Sequence, residues 1–135
     1  MLECLILGDS IGVGVSFFKK ECVAYVKSGI NSDNYVRTYT DINKKTKTVI
    51  ISLGTNDTDA VHTQESLTKL RESVQADRVV WILPSRTIKH KQNMIVRKIA
   101  NDFKDSTLEI ANIDLSRDRI HPTGNGYKHL SNQTN

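Results

Sequence analysis

Residues 48–57 read Thr-Val-Ile-Ile-Ser-Leu-Gly-Thr-Asn-Asp. Residues 48–53 are a mostly apolar, β-branched run that stops at Gly54. A run of that length with almost no polar alternation suits a strand buried on both faces, as in a parallel sheet. The same construction recurs along the chain. Residues 2–7 (LECLIL) stop at Gly8, 22–27 (CVAYVK) before Gly29, and 78–83 (RVVWIL) at Pro84. Residues 108–113 (LEIANI) stop before a polar turn.

The intervals between these runs predict helices. Residues 11–21 follow the first strand, and 33–45 place Val36, Tyr39 and Ile42 at helical spacing. Residues 63–76 put Leu67, Leu70 and Val74 on one face, with Thr63 as N-cap and Glu65 in the first turn. Residues 91–104 carry an apolar stripe of Ile95, Val96, Ile99, Ala100 and Phe103. Pro122 opens a last helix at its first position, running toward Leu130, and residues 131–135 are a polar tail expected to fray. Alternating strands and helices imply a parallel five-stranded sheet with helices on both faces, a three-layer α/β/α sandwich. Right-handed crossovers leave few ways to connect it.

The chain has 135 residues, the length of one domain, 1–135. Apolar residues make up 38% and charged residues 25%, which excludes a disordered or fibrous chain. No apolar run approaches ~18 residues, so no membrane-spanning helix is expected. Met1 is followed at once by Leu2–Glu3–Cys4, without a basic segment and an apolar core, so a cytoplasmic location is expected. Lys and Arg number 19 against 15 Asp and Glu, and the excess is spread out apart from a knot at residues 44–47. Aromatics are only 6% and do not interleave with the basic residues, which argues against a nucleic-acid partner. Cys4 and Cys22 are too few for a disulfide framework or a zinc site. Two buried thiols are expected, with one bridge between neighbouring strands as the alternative.

In such a sheet, ligands bind beyond the carboxyl ends of the strands. The seven glycines fall at Gly8, Gly12 and Gly14, at Gly29, at Gly54, and at Gly124 and Gly126. The first three of these places follow strands, and the last opens the final helix. Special backbone residues are therefore gathered on one rim. Ser10 stands where the first strand becomes a helix, either as a cap or as a nucleophile facing free N–H groups. Asp118 and His121, three apart before the last helix, can form a pair in which the carboxylate fixes the imidazole tautomer; an ordinary surface pair is the alternative. His titrates near neutral pH, which suits a base. Asn56 and the Gly29 N–H are candidate donors to a developing oxyanion, together with the Ser10 N–H.

These four blocks resemble the SGNH (GDSL-type) serine hydrolases: Gly8–Asp9–Ser10, Gly29, Gly54–Thr55–Asn56–Asp57, and Asp118-x-x-His121–Pro122–Thr123-x-x-Gly126–Tyr127. They occur in order, each at a strand end, and span residues 8–127. The resemblance implies a flavodoxin-like sheet of order 2-1-3-4-5. It implies Ser10 as nucleophile, His121 as base, Asp118 as its orienting partner, and Ser10, Gly29 and Asn56 as the oxyanion hole. The implied activity is hydrolysis of an ester-type acyl bond through an acyl-enzyme, with no metal or organic cofactor. The second block departs from the family pattern, reading Ser28–Gly29–Ile30–Asn31–Ser32. Ile11, Asp57, His62 and Arg86 are the expected substrate contacts, with Lys89 and His90 beside Arg86 and His129 on helix surface. Asp57 and Asp59 are expected to stabilise their turn rather than bind metal.

Short loops after the third and fourth strands suit a small acyl group, such as acetyl, on a carbohydrate or cell-wall carrier. A cell-wall (peptidoglycan) hydrolase, phage-encoded and acting outside the cytoplasm in lysis, is the alternative. A nucleotide- or flavin-binding module is disfavoured, because residues 8–14 (GDSIGVG) are neither G-x-G-x-x-G nor a Walker loop, and Asp9 would repel a phosphate.

Overall fold

The computed structural model describes residues 3–110 and 115–135. Five strands, β1 (Cys4–Gly8), β2 (Val23–Val26), β3 (Lys45–Ser52), β4 (Gln75–Ile82) and β5 (Ser106–Leu108), form one parallel sheet of order β2-β1-β3-β4-β5. The helices are α1 (Ser10–Ser16), α2 (Ser32–Thr38), α3 (Thr63–Glu72), α4 (His90–Asp102) and α5 (Gly124–Gln133).

Alternation along the strands feeds two cores. Leu5, Leu7, Val49, Ile51, Val79 and Trp81 point to the face covered by α2, α3 and α4. Cys4, Ile6, Ile50 and Ile82 point to the face covered by α1 and α5, where Ile11, Val15 and Leu130 meet them. Both faces of β1 are buried, as its unbroken apolar run requires. Trp81 is fully buried, and its Nε1–H donates to Asp105 Oδ2 at 2.9 Å. Asp105 also takes a two-pronged contact from Arg71, at 2.7 and 3.0 Å, which joins α3 to the chain entering β5.

The register positions the rim. Gly8 lies between Val26 of β2 and Ser52 of β3, so the turns leaving all three strands start level with one another. Asp9 N–H donates to the Ser52 carbonyl and Lys27 N–H to the Gly8 carbonyl, each at 3.0 Å.

Several expectations are corrected. Helices α1 and α2 end after two turns, well short of residues 21 and 45: α1 gives way to a turn at Phe17 and Phe18, and α2 to one at Tyr39 and Thr40, whose hydroxyl donates to the Val36 carbonyl. His62, not Thr63, is the cap residue of α3. The last helix starts at Gly124 behind the cap Thr123, whose hydroxyl accepts from Gly126 N at 3.1 Å; Pro122 lies outside it. Residues 131–135 do not fray. Helix α5 continues to Gln133, and Arg78 donates to the Thr134 and Asn135 carbonyls at 2.7 and 3.2 Å. The expected fifth strand, 108–113, shifts toward the N-terminus, and its residues 111–113 lie outside the described residues, as does Leu2.

The cysteines are not free. Register places Cys4 opposite Cys22, since Leu5 pairs with Val23. Their Cα atoms are 4.6 Å apart and the sulfurs are joined in a disulfide. Among the described residues no helix is long and apolar enough to cross a membrane.

Candidate active site

Ser10 is the first residue of α1, and it is not the cap. Asp9 is the cap, its Oδ1 accepting from Ile11 N at 3.0 Å. The serine hydroxyl is thereby released from helix duty. Its Oγ lies 2.7 Å from His121 Nε2, across 111 residues of sequence.

The turn before α5 carries the other half of the relay. His121 Nδ1 lies 2.7 Å from Asp118 Oδ2. Asp118 Oδ1 accepts from the backbone N–H groups of Ile120 and His121 at 2.8 and 2.9 Å. Ser116 Oγ lies 3.0 Å from the same oxygen and 2.8 Å from the His121 carbonyl. The His121 backbone N–H, then its ring, then the Ile120 N–H hold the Asp118 carboxyl well below the usual carboxylate range. A carboxylate so anchored stays ionised and fixes the ring with Nδ1–H toward itself. Nε2 is then free to accept the Ser10 proton. The pair is open to solvent, with side-chain exposures of 35% for His121 and 47% for Asp118.

Gly29 takes φ +79°, a left-handed conformation, and a Cβ there would meet nothing within 4 Å. The glycine is therefore required by the backbone turn and leaves the space above it clear. Asn56 is half-buried, and its Nδ2 donates one hydrogen to the Ile30 carbonyl at 3.0 Å. That bond ties the turn after β3 to the turn after β2 and leaves the second amide hydrogen available. At Gly14 a Cβ would lie 2.2 Å from the Tyr127 ring, so the close seating of α5 on α1 depends on this glycine.

Asp9 is fully buried, and its Oδ2 has no partner. Burial raises its carboxyl from 3.8 to about 7, against the opposing pull of backbone N–H groups and of His121. Tyr127 is pushed up to about 12, by burial first and then by the Asp9 and Asp118 charges. Among the described residues no group of three His, Cys, Asp or Glu side chains converges to hold a metal ion.

No protein-family model matches the sequence, and no curated protein does. Solved structures do. A candidate acylhydrolase from Bacteroides fragilis superposes with a TM-score of 0.71 at 17% identity, over 97% of this chain and 83% of that one. Est24, a carbohydrate acetylesterase from Sinorhizobium meliloti, gives 0.62 at 14% identity, over 98% and 96%. The aryl esterase of M. smegmatis gives 0.61 at 16% identity, over 98% of each chain. This is the SGNH hydrolase fold. Its sheet order is the one the resemblance implies, and its five helices alternate with five strands as the apolar runs predict.

Within the SGNH fold, the expected substrate contacts divide. Arg86 is exposed and unpaired among the described residues. His62 is exposed, with Nδ1 and its backbone N–H each 3.2 Å from Asp33 Oδ2. Ile11 and Asp57 are corrected, because both are buried. Ile11 packs into the core beside Val15 and Ile50. Asp57 is fully buried, its Oδ1 accepting from Ser32 N at 2.9 Å and its Oδ2 from Thr63 Oγ1 at 2.8 Å. It clamps the start of α2 to the start of α3 and has no oxygen to offer a substrate. Asp59 pairs with Lys91 at 3.0 Å, and His129 is exposed on α5 as expected. Two contributors were missed, Ser116 and Asp9. Ser116 gives no pattern of its own. Lys89, expected beside Arg86 at the substrate, instead donates from Nζ to the Asp57 carbonyl at 3.2 Å. Asp9 was legible in principle, since an Asp one residue before a helix is a strong cap signal.

Proposed function

We propose that this protein is an ester hydrolase of serine type, acting on short acyl groups such as acetyl. The reading is carried by the relay from Ser10 to His121 to Asp118, whose two links are each 2.7 Å. As Oγ attacks the acyl carbon, His121 Nε2 takes its proton. Asp118 supports the imidazolium that forms. The developing oxyanion is met by the Ser10 N–H at the start of α1, the Gly29 N–H and the second Asn56 amide hydrogen. His121 then protonates the leaving alcohol, and water activated by the same ring clears the acyl group.

Openness supports a short acyl group. Gly29, Asp118 and Arg86 are exposed, and the loops that follow β3 and β4 span only residues 53–62 and 83–89. A fatty chain would need an apolar trench to bury it. The likeness to a carbohydrate acetylesterase supports a sugar-borne ester as the substrate.

The test is p-nitrophenyl acetate hydrolysis by wild type beside Ser10→Ala. Turnover by wild type alone is the expected result. Equal rates in the two proteins would contradict the serine mechanism. Across a series of acyl lengths, kcat/KM is expected to fall from C2 to C8, and a steady rise would refute the short-acyl assignment.

A further inference from the structure

A cleft of about 220 Å³ opens between the first turns of α3 and α4, on the rim beyond the end of β3. Thr58 and Asp59, immediately beyond the Asn56–Asp57 turn, form one edge. Lys91 and Gln92 come from α4, His62 heads α3, and Ile95 supplies an apolar patch.

Gln92 is the informative residue. Only 7% of it is exposed, and it sits beneath the turn that carries Asn56: a Cβ on Gly54 would meet Gln92 Cβ at 3.8 Å. Its side-chain amide has no hydrogen-bond partner among the described residues. Neither amide atom is sealed from solvent, and the cleft it lines is the opening beside it. An amide that no protein group satisfies and that opens onto a cleft is held by water, which a ligand hydroxyl can replace. A second feature points the same way. Neither α3 nor α4 has a side-chain cap, so the N–H groups of both first turns remain available as donors.

The chemistry of the lining selects the ligand. Asp59 pairs with Lys91 at 3.0 Å, the exposed Glu65 adds one carboxylate that opposes an anion, and the two helix N-termini oppose a cation. Donors and acceptors are dense, and Ile95 offers an apolar surface to a C–H face. The volume is below the roughly 300–1,000 Å³ of sites that engulf drug-sized ligands. Hydroxyls in several directions, one apolar face and no charge describe a sugar ring.

We propose that this cleft is a carrier subsite that binds one neutral sugar unit of the substrate, with Gln92 as its hydrogen-bonding floor. The proposal rests on the ester-hydrolase reading for its place in catalysis, but binding there can be tested without turnover. The first experiment compares acetate release from O-acetylated xylo-oligosaccharides with p-nitrophenyl acetate hydrolysis, in wild type, Gln92→Ala and Gln92→Glu. The glycan-to-aryl ratio of kcat/KM is expected to fall roughly tenfold in both variants, mainly through KM, the size of one lost hydrogen bond to a bound ligand. The second is an NMR titration of the wild-type protein with unacetylated xylotriose, where the Gln92 side-chain amide is expected to shift. A ratio within threefold of wild type together with an unmoved Gln92 amide overturns the subsite, even if the enzyme is active. A moving amide in a protein that cleaves neither ester supports the subsite and overturns the hydrolase reading instead.

Discussion

Three polar side chains near the rim are set by their surroundings to different tasks. Asn56 gives one hydrogen to Ile30, and the proposed mechanism assigns its second to the oxyanion. Asn56→Ala is expected to lower kcat by roughly 10²–10³ with little change in KM, the usual consequence of losing one oxyanion donor. A variant within threefold of wild type would remove Asn56 from the mechanism. Asp118 is held ionised by its donors, so Asp118→Asn should leave the fold in place and slow the reaction roughly 10²-fold or more through a misoriented ring.

Asp9 behaves in the opposite way. Its carboxyl is raised from 3.8 to about 7, so the folded state binds more protons than the unfolded state between those values. Stability contributed by this group is therefore present at low pH and lost as pH rises through that window. Asn caps a helix as well as Asp does and carries no charge. Asp9→Asn is expected to be nearly neutral to stability near pH 4 and stabilising by a few kcal/mol at pH 8. Urea unfolding at the two pH values checks this, and an equal effect at both would show that the ionised carboxylate costs nothing where it sits.

At the scale of elements, the site depends on turns held to one another more than on the helices themselves. Asp57 joins the starts of α2 and α3, and through them the turns that carry Gly29 and Asn56. Asp57→Ala leaves the Ser32 N–H and the Thr63 hydroxyl buried without partners, an expected loss of about 2–4 kcal/mol by urea unfolding. A loss below about 0.5 kcal/mol, the size of an ordinary surface change, would mean the clamp is unimportant. The strands were legible in the sequence because apolar runs ending at Gly or Pro leave few other readings. Helix ends were less so: the pattern of residues 33–45 is helical in spacing, yet only Ser32–Thr38 is helix, since Tyr39 and Ile42 reach the core from the turn that follows. Ser10, His121, Asp118, Gly29 and Asn56 could be picked out because each stands at a strand end or beside a helix start. The role of Asp57 could not, because nothing in its neighbours in sequence says that its oxygens face Ser32 and Thr63. Gln92 was invisible for the same reason, as an amide on a helix looks like surface until its burial is known.

For the molecule as a whole, the sheet order brings β2, β1 and β3 side by side, so turns far apart in sequence share one rim. The Cys4–Cys22 disulfide closes a segment of 18 residues that contains Ser10 and all of α1. It was misjudged from sequence because pairing depends on strand register, which two isolated cysteines do not reveal. A loop of that size implies about 3 kcal/mol of stabilisation from restricting the unfolded chain. Reduction should lower the melting temperature by roughly 10 °C, a change that Cys4→Ser with Cys22→Ser reproduces and that reductant does not deepen. A melting point indifferent to reductant would contradict the bridge. In the proposed mechanism Ser10 is the hydroxyl activated for attack. Reaction with a fluorophosphonate, followed by mass spectrometry of the digested protein, tests that most directly. The expected result is a single adduct on Ser10, lost in His121→Ala; no adduct, or one on another serine, would contradict the serine-hydrolase account.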